Sequence, residues 1–264
     1  DGAFCDNYCK EKTDDNGEKR QICFYYGPQT NGSVELVSSA ETMTYDLSNL
    51  KKTIKSVTLS NVTEIKDGLF TDCAYLTEIN LTSEKLTNIG ANAFAITTTG
   101  STPVNTKMTI ASEHVVMDST AFDGNRAISS YVGTSQAYPY IKNYVTATEI
   151  TVLGTEIQSS AFKQSKFTKV TISSTITSIG NEAFSNCKLQ TVVFEEGTQL
   201  TTIGRGAFFC CYSLGNFEIP STVTTIGGSA FDYCPLTSIN IPVGVTSIGE
   251  GAFMNGSYLK SVYI

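Results

Sequence analysis

One apolar sentence recurs along this chain at a nearly fixed interval. From the middle onward it reads SIGNEAFSNCKLQTVVF, TIGRGAFFCCYSLGNFEI, TIGGSAFDYCPLTSINI and SIGEGAFMNGSYLKSVYI. Phe162, Phe184, Phe208, Phe231 and Phe253 anchor it, spaced 22, 24, 23 and 22 residues apart. A period in this range is the signature of a solenoid, in which each supersecondary unit contacts only its neighbours. Such a fold presents a long surface rather than a closed pocket, so the repeat constrains function as well as fold.

The stretch from Leu236 to Phe253 shows how one unit works. Leu236, Ile239 and Ile241 form an L-x-x-I-x-I run in which Ile239 and Ile241 share one face of a strand. Pro242, Val243 and Gly244 turn the chain, and Val245 and Ile248 return to the core. Gly249 is expected to permit a backbone kink. Ala252 and Phe253 close the coil: the small residue allows close stacking, and the ring fills the width between layers. The same grammar appears at Leu76, Ile79 and Leu81 followed by Ile89, Gly90, Ala93 and Phe94. It returns at Phe167, Val170 and Ile172, at Leu189, Val192 and Phe194, and at Leu214, Phe217 and Ile219, each followed by its own I-G-x-x-A-F segment. Leu69-Phe70, Ala121-Phe122 and Ala161-Phe162 mark the remaining coils.

This grammar resembles the BspA-like leucine-rich repeat family, whose unit runs roughly L-x-x-I-x-I-P-x-x-V-x-x-I-G-x-x-A-F-x-x-C. The resemblance extends from near Ile54 to Ile264 with two interruptions. The chain departs from it where the post-strand proline is kept only at Pro220 and Pro242, and where Lys66 and Gln158 stand in place of the glycine. The resemblance implies a leucine-rich repeat solenoid: a right-handed coil, mostly β with little α. Parallel β-strands would line one face and short turns, 3-10 or helical pieces the other. It also implies a microbial surface or secreted protein concerned with adhesion and the binding of host proteins. The expected localisation is therefore extracellular or at the cell surface. The expected partner is an extracellular or host protein, or a glycan.

Three segments break the period. Residues 1–50 read as an irregular N-terminal cap, with a partial repeat at Phe4, a charged loop from Lys10 to Arg20, and β-rich runs at Ile22–Tyr26 and Val34–Val37. The opening Gly2–Phe4 looks like the tail of a repeat motif, so the chain is expected to begin mid-solenoid. Residues 51–132 form a first repeat array carrying an inserted loop at 95–106. Residues 133–147 form an interrupting insertion. Ala137, Tyr138, Ile141, Tyr144 and Val145 fall there at near-helical spacing, which predicts a short helix. The run from Tyr131 to Tyr138 resembles the Val-x-x-Gly-x-Ala-Tyr element that often ends a strand array in the family. A second array, 148–264, is expected to continue the first.

Charge is sparse. With 25 acidic and 18 basic residues and a net charge of −7, no basic footprint for nucleic acid exists. No apolar run reaches the length of a transmembrane helix, so no membrane insertion is expected of this chain. Four of the eight cysteines, Cys73, Cys187, Cys211 and Cys234, lie three residues after an anchor phenylalanine, where a small buried thiol would line the coil. Of the rest, only Cys5 and Cys9 approach a zinc-like spacing, and the single histidine is remote, so no metal is expected. A Cys9–Cys23 disulfide would staple the charged loop, with a stabilisation of about 3 kcal/mol on the loop-entropy argument; Cys5–Cys23 is the competing pair. His114 stands in a turn sequence without a partnering nucleophile motif, and no catalytic residue or cofactor is expected. The four N-x-S/T sequons, at Asn31, Asn61, Asn80 and Asn255, are the number that chance gives in so Ser- and Thr-rich a chain.

Pleating leaves the outward strand positions as the candidate binding surface. They are Glu78, Asn80, Lys107, Lys169, Thr171, Thr191, Asn216, Glu218, Ser238, Asn240 and Tyr263, with Thr109, Val193 and Ser261 between them. Stacked across coils they form a flat, continuous, mostly uncharged platform rich in hydroxyls and amides. Tyr263 is the one aromatic among them, which favours a protein partner over a sugar. The reading that follows is a non-catalytic binding protein. The alternative is a structural spacer or glycan-recognition module within a larger extracellular protein.

Overall fold

Period-two alternation marks the strand position of each coil. In Glu78–Leu81, Ile79 and Leu81 are fully buried while Glu78 is exposed; in Lys169–Ile172, Val170 and Ile172 are buried in the same way. A computed structural model of the protein describes residues 54–97, 104–124 and 126–264. It also describes the backbone of three earlier strands, Tyr8–Thr13, Lys19–Tyr26 and Val34–Ser38. The chain divides into two compact units, residues 1–131 with 140–146, and residues 132–139 with 147–264.

In the first unit the strands Ile54–Leu59, Glu78–Leu81 and Val104–Ile110 run parallel, with Val57 opposite Ile79 and Ile79 opposite Met108. Glu64–Ile65, Asn88–Ile89 and Val116–Met117 form a second, shorter parallel ladder. Val34–Ser38 joins the first ladder in parallel, with an irregularity between Val34 and Glu35. Lys19–Tyr26 pairs antiparallel with it, and Tyr8–Thr13 antiparallel with Lys19–Tyr26. The predicted charged loop from Lys10 to Arg20 is therefore corrected: Lys10, Glu11 and Lys12 lie in one strand of a hairpin, opposite Ile22, Gln21 and Arg20. Charges hide a strand from an apolar-pattern reading, since Lys10, Glu11 and Lys12 interrupt the period-two apolar alternation that marks one. The predicted inserted loop 95–106 falls partly outside the described residues, at 98–103, and ends in the strand Val104–Ile110.

In the second unit Glu149–Leu153, Lys169–Ile172 and Thr191–Phe194 pair in parallel, and Ser238–Asn240 pairs with Ser261–Tyr263. The second ladder is longer and unbroken, running through Ile157, Ile179, Ile203, Ile226 and Ile248. The strand Arg126–Thr134 and the four-residue helix Tyr138–Ile141 lie in the stretch where the chain passes from one unit to the other. Among the described residues no helix is long and apolar enough to cross a membrane.

Turns on the non-strand side carry their own coil-to-coil bonds. The N–H of Phe162, Phe184, Phe208 and Phe231 donates to the carbonyl of Ala183, Ala207, Ala230 and Ala252 in the next coil, at 2.7–2.9 Å. In the second unit two positions per coil adopt positive φ: the residue before the alanine, as Glu182 and Ser229 do, and the second after the phenylalanine, as Asn186 and Cys210 do. The glycine of the I-G pair has another role than the kink expected at Gly249. A Cβ on Gly227 would lie 2.4 Å from the Arg205 nitrogen, so the preceding coil's backbone occupies the space any side chain would need.

The anchor rings stack face to face. Phe162, Phe184, Phe208 and Phe231 follow one another at centroid distances of 5.2–5.4 Å with planes within 10°. Phe253 continues the column at 5.4 Å, half-buried because it has a ring on one side only. Phe70, Phe94 and Phe122 form the equivalent column in the first unit.

Beside these columns the four repeat cysteines are buried and unbridged. The thiols of Cys187, Cys211 and Cys234 donate to the carbonyls of Phe162, Phe184 and Phe208 at 3.0–3.1 Å. Each caps an acceptor that the coil would otherwise bury with one bond fewer. Burial pushes the Cys187 thiol up to about 12. The hydrogen bond with Cys234, then burial, pushes that of Cys211 higher still. In the first unit the same task falls to Arg126, which is 3% exposed. Its Nε donates to the Phe94 carbonyl at 2.8 Å, and its other nitrogens reach the carbonyls of Leu76 and Cys73 and the Thr106 hydroxyl. Burial draws the guanidinium down to about 10, so it stays charged at neutral pH.

Candidate binding face

The outward strand residues predicted from the pleat are all exposed or half-exposed. Glu78, Lys107, Thr191, Asn216, Glu218, Ser238, Asn240 and Tyr263 are exposed, and Asn80, Lys169 and Thr171 are half-exposed. Registration brings them together across coils: Glu78 lies opposite Lys107, Lys169 opposite Thr191, Thr171 opposite Val193, and Asn240 opposite Tyr263. Their hydrogen bonds stay local. Asn80 donates to Glu78 at 3.1 Å, and Lys169 pairs with Glu149 at 3.2 Å, a solvent-exposed contact of little energetic weight. His114 is exposed in its turn, where its backbone N–H donates to the Ser112 hydroxyl. At the chain's start Cys9 stands directly opposite Cys23 in the backbone register of the hairpin.

The platform is not continuous, and here the structure departs from the sequence reading. The ladder ends at Thr191–Phe194, and the next coil, residues 215–219, joins no strand on either side. Asn216 and Glu218 therefore border a groove of about 620 Å³ between that coil and the strand Thr191–Phe194. Two causes converge. Closed coils end with the N–H of the post-strand residue donating backward, as Ser173 does to Val152 and Glu195 to Ile172. The corresponding residues here and one coil later are Pro220 and Pro242, which have no N–H to give. In addition, Phe194 and Phe217 occupy inward positions that hold aliphatic residues in the neighbouring strands, and their rings meet edge to face at 5.8 Å. Phe217 is buried against Phe208 and Phe231, whereas Val192 and Phe194 are left only half-buried.

A second feature was missed by a reading confined to strand positions. On the turns after the anchors, Phe209, Tyr212 and Tyr233 pack edge to face at 6.0 and 6.4 Å, with Tyr212 67% and Tyr233 44% exposed. Their signal was the aromatic character of residues one, two and four positions past an anchor phenylalanine.

The repeat, the parallel ladders and the stacked anchors find their match among known families. The BspA type leucine rich repeat region fits in six copies over residues 23–129 and 135–260. The chain belongs to that family. No curated protein matches this leucine-rich repeat chain. A leucine rich repeat protein of T. pallidum shares 28% identity over 44% of this chain, with a TM-score of 0.41; the match spans 57% of that protein's length. A leucine rich cell surface protein from Faecalibacterium prausnitzii shares 18% identity over 96% of this chain and 94% of its own, again at a TM-score of 0.41. A leucine-rich repeat protein from Bacteroides ovatus shares 16% over 98% and 94%, at 0.33.

Proposed function

We propose that this leucine-rich repeat chain is a non-catalytic surface or secreted binding protein that engages another protein through the strand side of its second unit. The observation that carries the reading is the register of that side. Lys169, Thr171, Thr191 and Val193 stand as cross-coil neighbours, and Asn216, Glu218 and Asn240 are exposed in the coils that follow. Side chains held this way by a stacked scaffold spread many weak contacts over a partner with little ordering cost. The family's general association with microbial adhesion supports a host or extracellular protein as that partner. Fold alone does not choose one.

A glycan reading is favoured by a separate observation, the exposed Tyr212 and Tyr233 packed with half-buried Phe209, because sugars stack on aromatic faces. One screen tests both, against extracellular-matrix proteins and glycans. Substituting Lys169, Thr171, Asn216, Glu218 and Asn240 together should abolish protein binding and leave the melting temperature nearly unchanged, since exposed positions cost little. Replacing Tyr212 and Tyr233 by Ala should leave protein binding intact. If the tyrosine variant loses its partner and the strand-side variant keeps it, the protein-platform reading fails and the aromatic cluster takes its place.

A further inference from the structure

The groove beside residues 215–219 is a break in a hydrogen-bonded ladder, and the consequence lies in the backbone. Thr191 and Glu195 direct their N–H groups to Thr168 and Ile172 in the preceding coil. In a parallel ladder alternate residues point to opposite sides, so Val192 and Phe194 direct both N–H and C=O toward the groove. On the other wall, among the described residues, no N–H from Asn216 through Ile219 donates to a carbonyl, and Pro220 has none. Elsewhere in the second unit Glu149–Leu153, Lys169–Ile172 and Thr191–Phe194 pair in register, and Ser238–Asn240 pairs with Ser261–Tyr263, although its side toward residues 215–219 is open too. A free strand edge is a template for one more strand, which natural sheets otherwise cover, shorten or guard with charge.

Its charge is one-sided. Glu195 and Glu218 line the groove, and no Lys, Arg or His does. The Glu195 carboxylate accepts a bond from the Ser174 N–H at 3.1 Å, while Glu218 is exposed at the rim. Beneath them Val192, Phe194 and Phe217 supply an apolar lining. A main-chain edge, an apolar lining and acidic rims together recognise one kind of occupant. We infer that the groove binds an extended segment of a partner protein by strand addition. The segment pairs its main chain with the free edge of Thr191–Phe194, turns small apolar side chains toward Val192 and Phe194, and places a Lys or Arg against Glu195 and Glu218. Thr191–Phe194 has four residues, at about 3.3 Å each, so the segment that matches it is four to six residues long. The inference rests on the protein-binding reading above and specifies how one part of that surface works.

The test uses the whole chain and three fluorescently tagged heptapeptides. The first is acetyl-Thr-Val-Lys-Val-Thr-Val-Thr-amide. The second replaces its Lys by Glu, and the third is the Lys peptide N-methylated at alternate amides. The Lys peptide should bind saturably, at least tenfold more tightly than either of the others. Glu218→Lys should weaken it at least fivefold, and Glu84→Lys, an equal charge change on an exposed residue of the first unit, should not. Equal binding of the N-methylated peptide would overturn the inference, because the backbone edge would then play no part. So would the absence of saturable binding by any peptide at millimolar concentration. Self-association of the chain that Glu218→Lys abolishes would overturn it too, by making a second copy the occupant. If the five-residue strand-side variant loses a matrix protein while no peptide binds, the platform stands and the groove fails; peptide binding without any protein partner in the screen separates them the other way.

Discussion

Two stretches of the second unit follow one grammar and end differently. From Glu149 to Phe194 three strands pair in register, their inward residues are Ile, Val, Val, Ile, Val and Phe, and the second and third close backward onto their predecessors. From Leu214 to Ile219 the anchor, the cysteine and the second ladder are all kept, yet no strand forms. The turn side holds the coil in place through Phe208 and Phe231, the Cys211 and Cys234 thiols, and the Ile203–Ile226 pairing. Stacking and strand pairing are thus separable in this fold. The first is fixed by the I-G-x-x-A-F segment and the second by the residues at the strand's end.

The largest effect should come from weakening the turn side where nothing backs it up. Phe208→Ala removes a ring that contacts Phe184, Phe217 and Phe231, and should cost about 3–5 kcal/mol by denaturant unfolding. Phe184→Ala, set in the paired stretch, should cost less. Equal losses would break the distinction between the two stretches.

The next tests whether the anchor carbonyls matter as acceptors. Arg126→Met keeps much of the apolar stem but leaves the carbonyls of Phe94, Leu76 and Cys73 without the guanidinium, and should cost about 3 kcal/mol. The thiols that do this work in the second unit sharpen the contrast through pH. Cys187 titrates near 12 in the fold and near 8.5 when unfolded. Between those values the unfolded chain has lost a proton that the native chain keeps. Stability is therefore whole below about pH 8.5 and falls as pH rises, by about 1.4 kcal/mol per pH unit for this thiol. Urea titrations from pH 8 to 10.5 should show that decline, shallower in Cys187→Ser. An unchanged slope would mean that the thiol is not held protonated.

A smaller change addresses the break itself. Pro220→Thr returns an N–H to the place where it can donate to the Phe194 carbonyl, and should stabilise by about 1 kcal/mol while narrowing the groove. A loss of stability would show that the rings of Phe194 and Phe217, rather than the missing donor, keep the coil apart.

Most of the scaffold was legible because it is periodic. The anchor rings, the buried thiols and the inward strand residues each recur at a fixed offset, so one repeat predicts the next. What escaped was local. Arg126 follows a coil that lacks its cysteine, but a charged residue in sequence does not announce that carbonyls will enclose it. Lys10–Thr13 and Lys19–Arg20 belong to the two strands of a hairpin whose sequence there has no apolar alternation to betray it. The signals for the open coil were present, as Pro220, Pro242, Phe194 and Phe217, yet the prolines also fit the family's consensus and so looked ordinary. The candidate surface was legible as a set of outward positions, but its division was not, since pleating alone says nothing of whether neighbouring strands pair.

Residue-resolved amide hydrogen exchange on the free protein tests the central claim, that the sheet is open beside residues 215–219. Val170 and Ile172, whose N–H groups lie between two paired strands, should exchange slowly, at rates set by global unfolding. Val192, Phe194, Phe217 and Ile219 should exchange at least a hundredfold faster, although Phe217 and Ile219 are themselves buried in side chain, only 6% and 8% exposed. Slow exchange at all six positions would contradict the account, because it would mean that the ladder closes and leaves no edge for a partner.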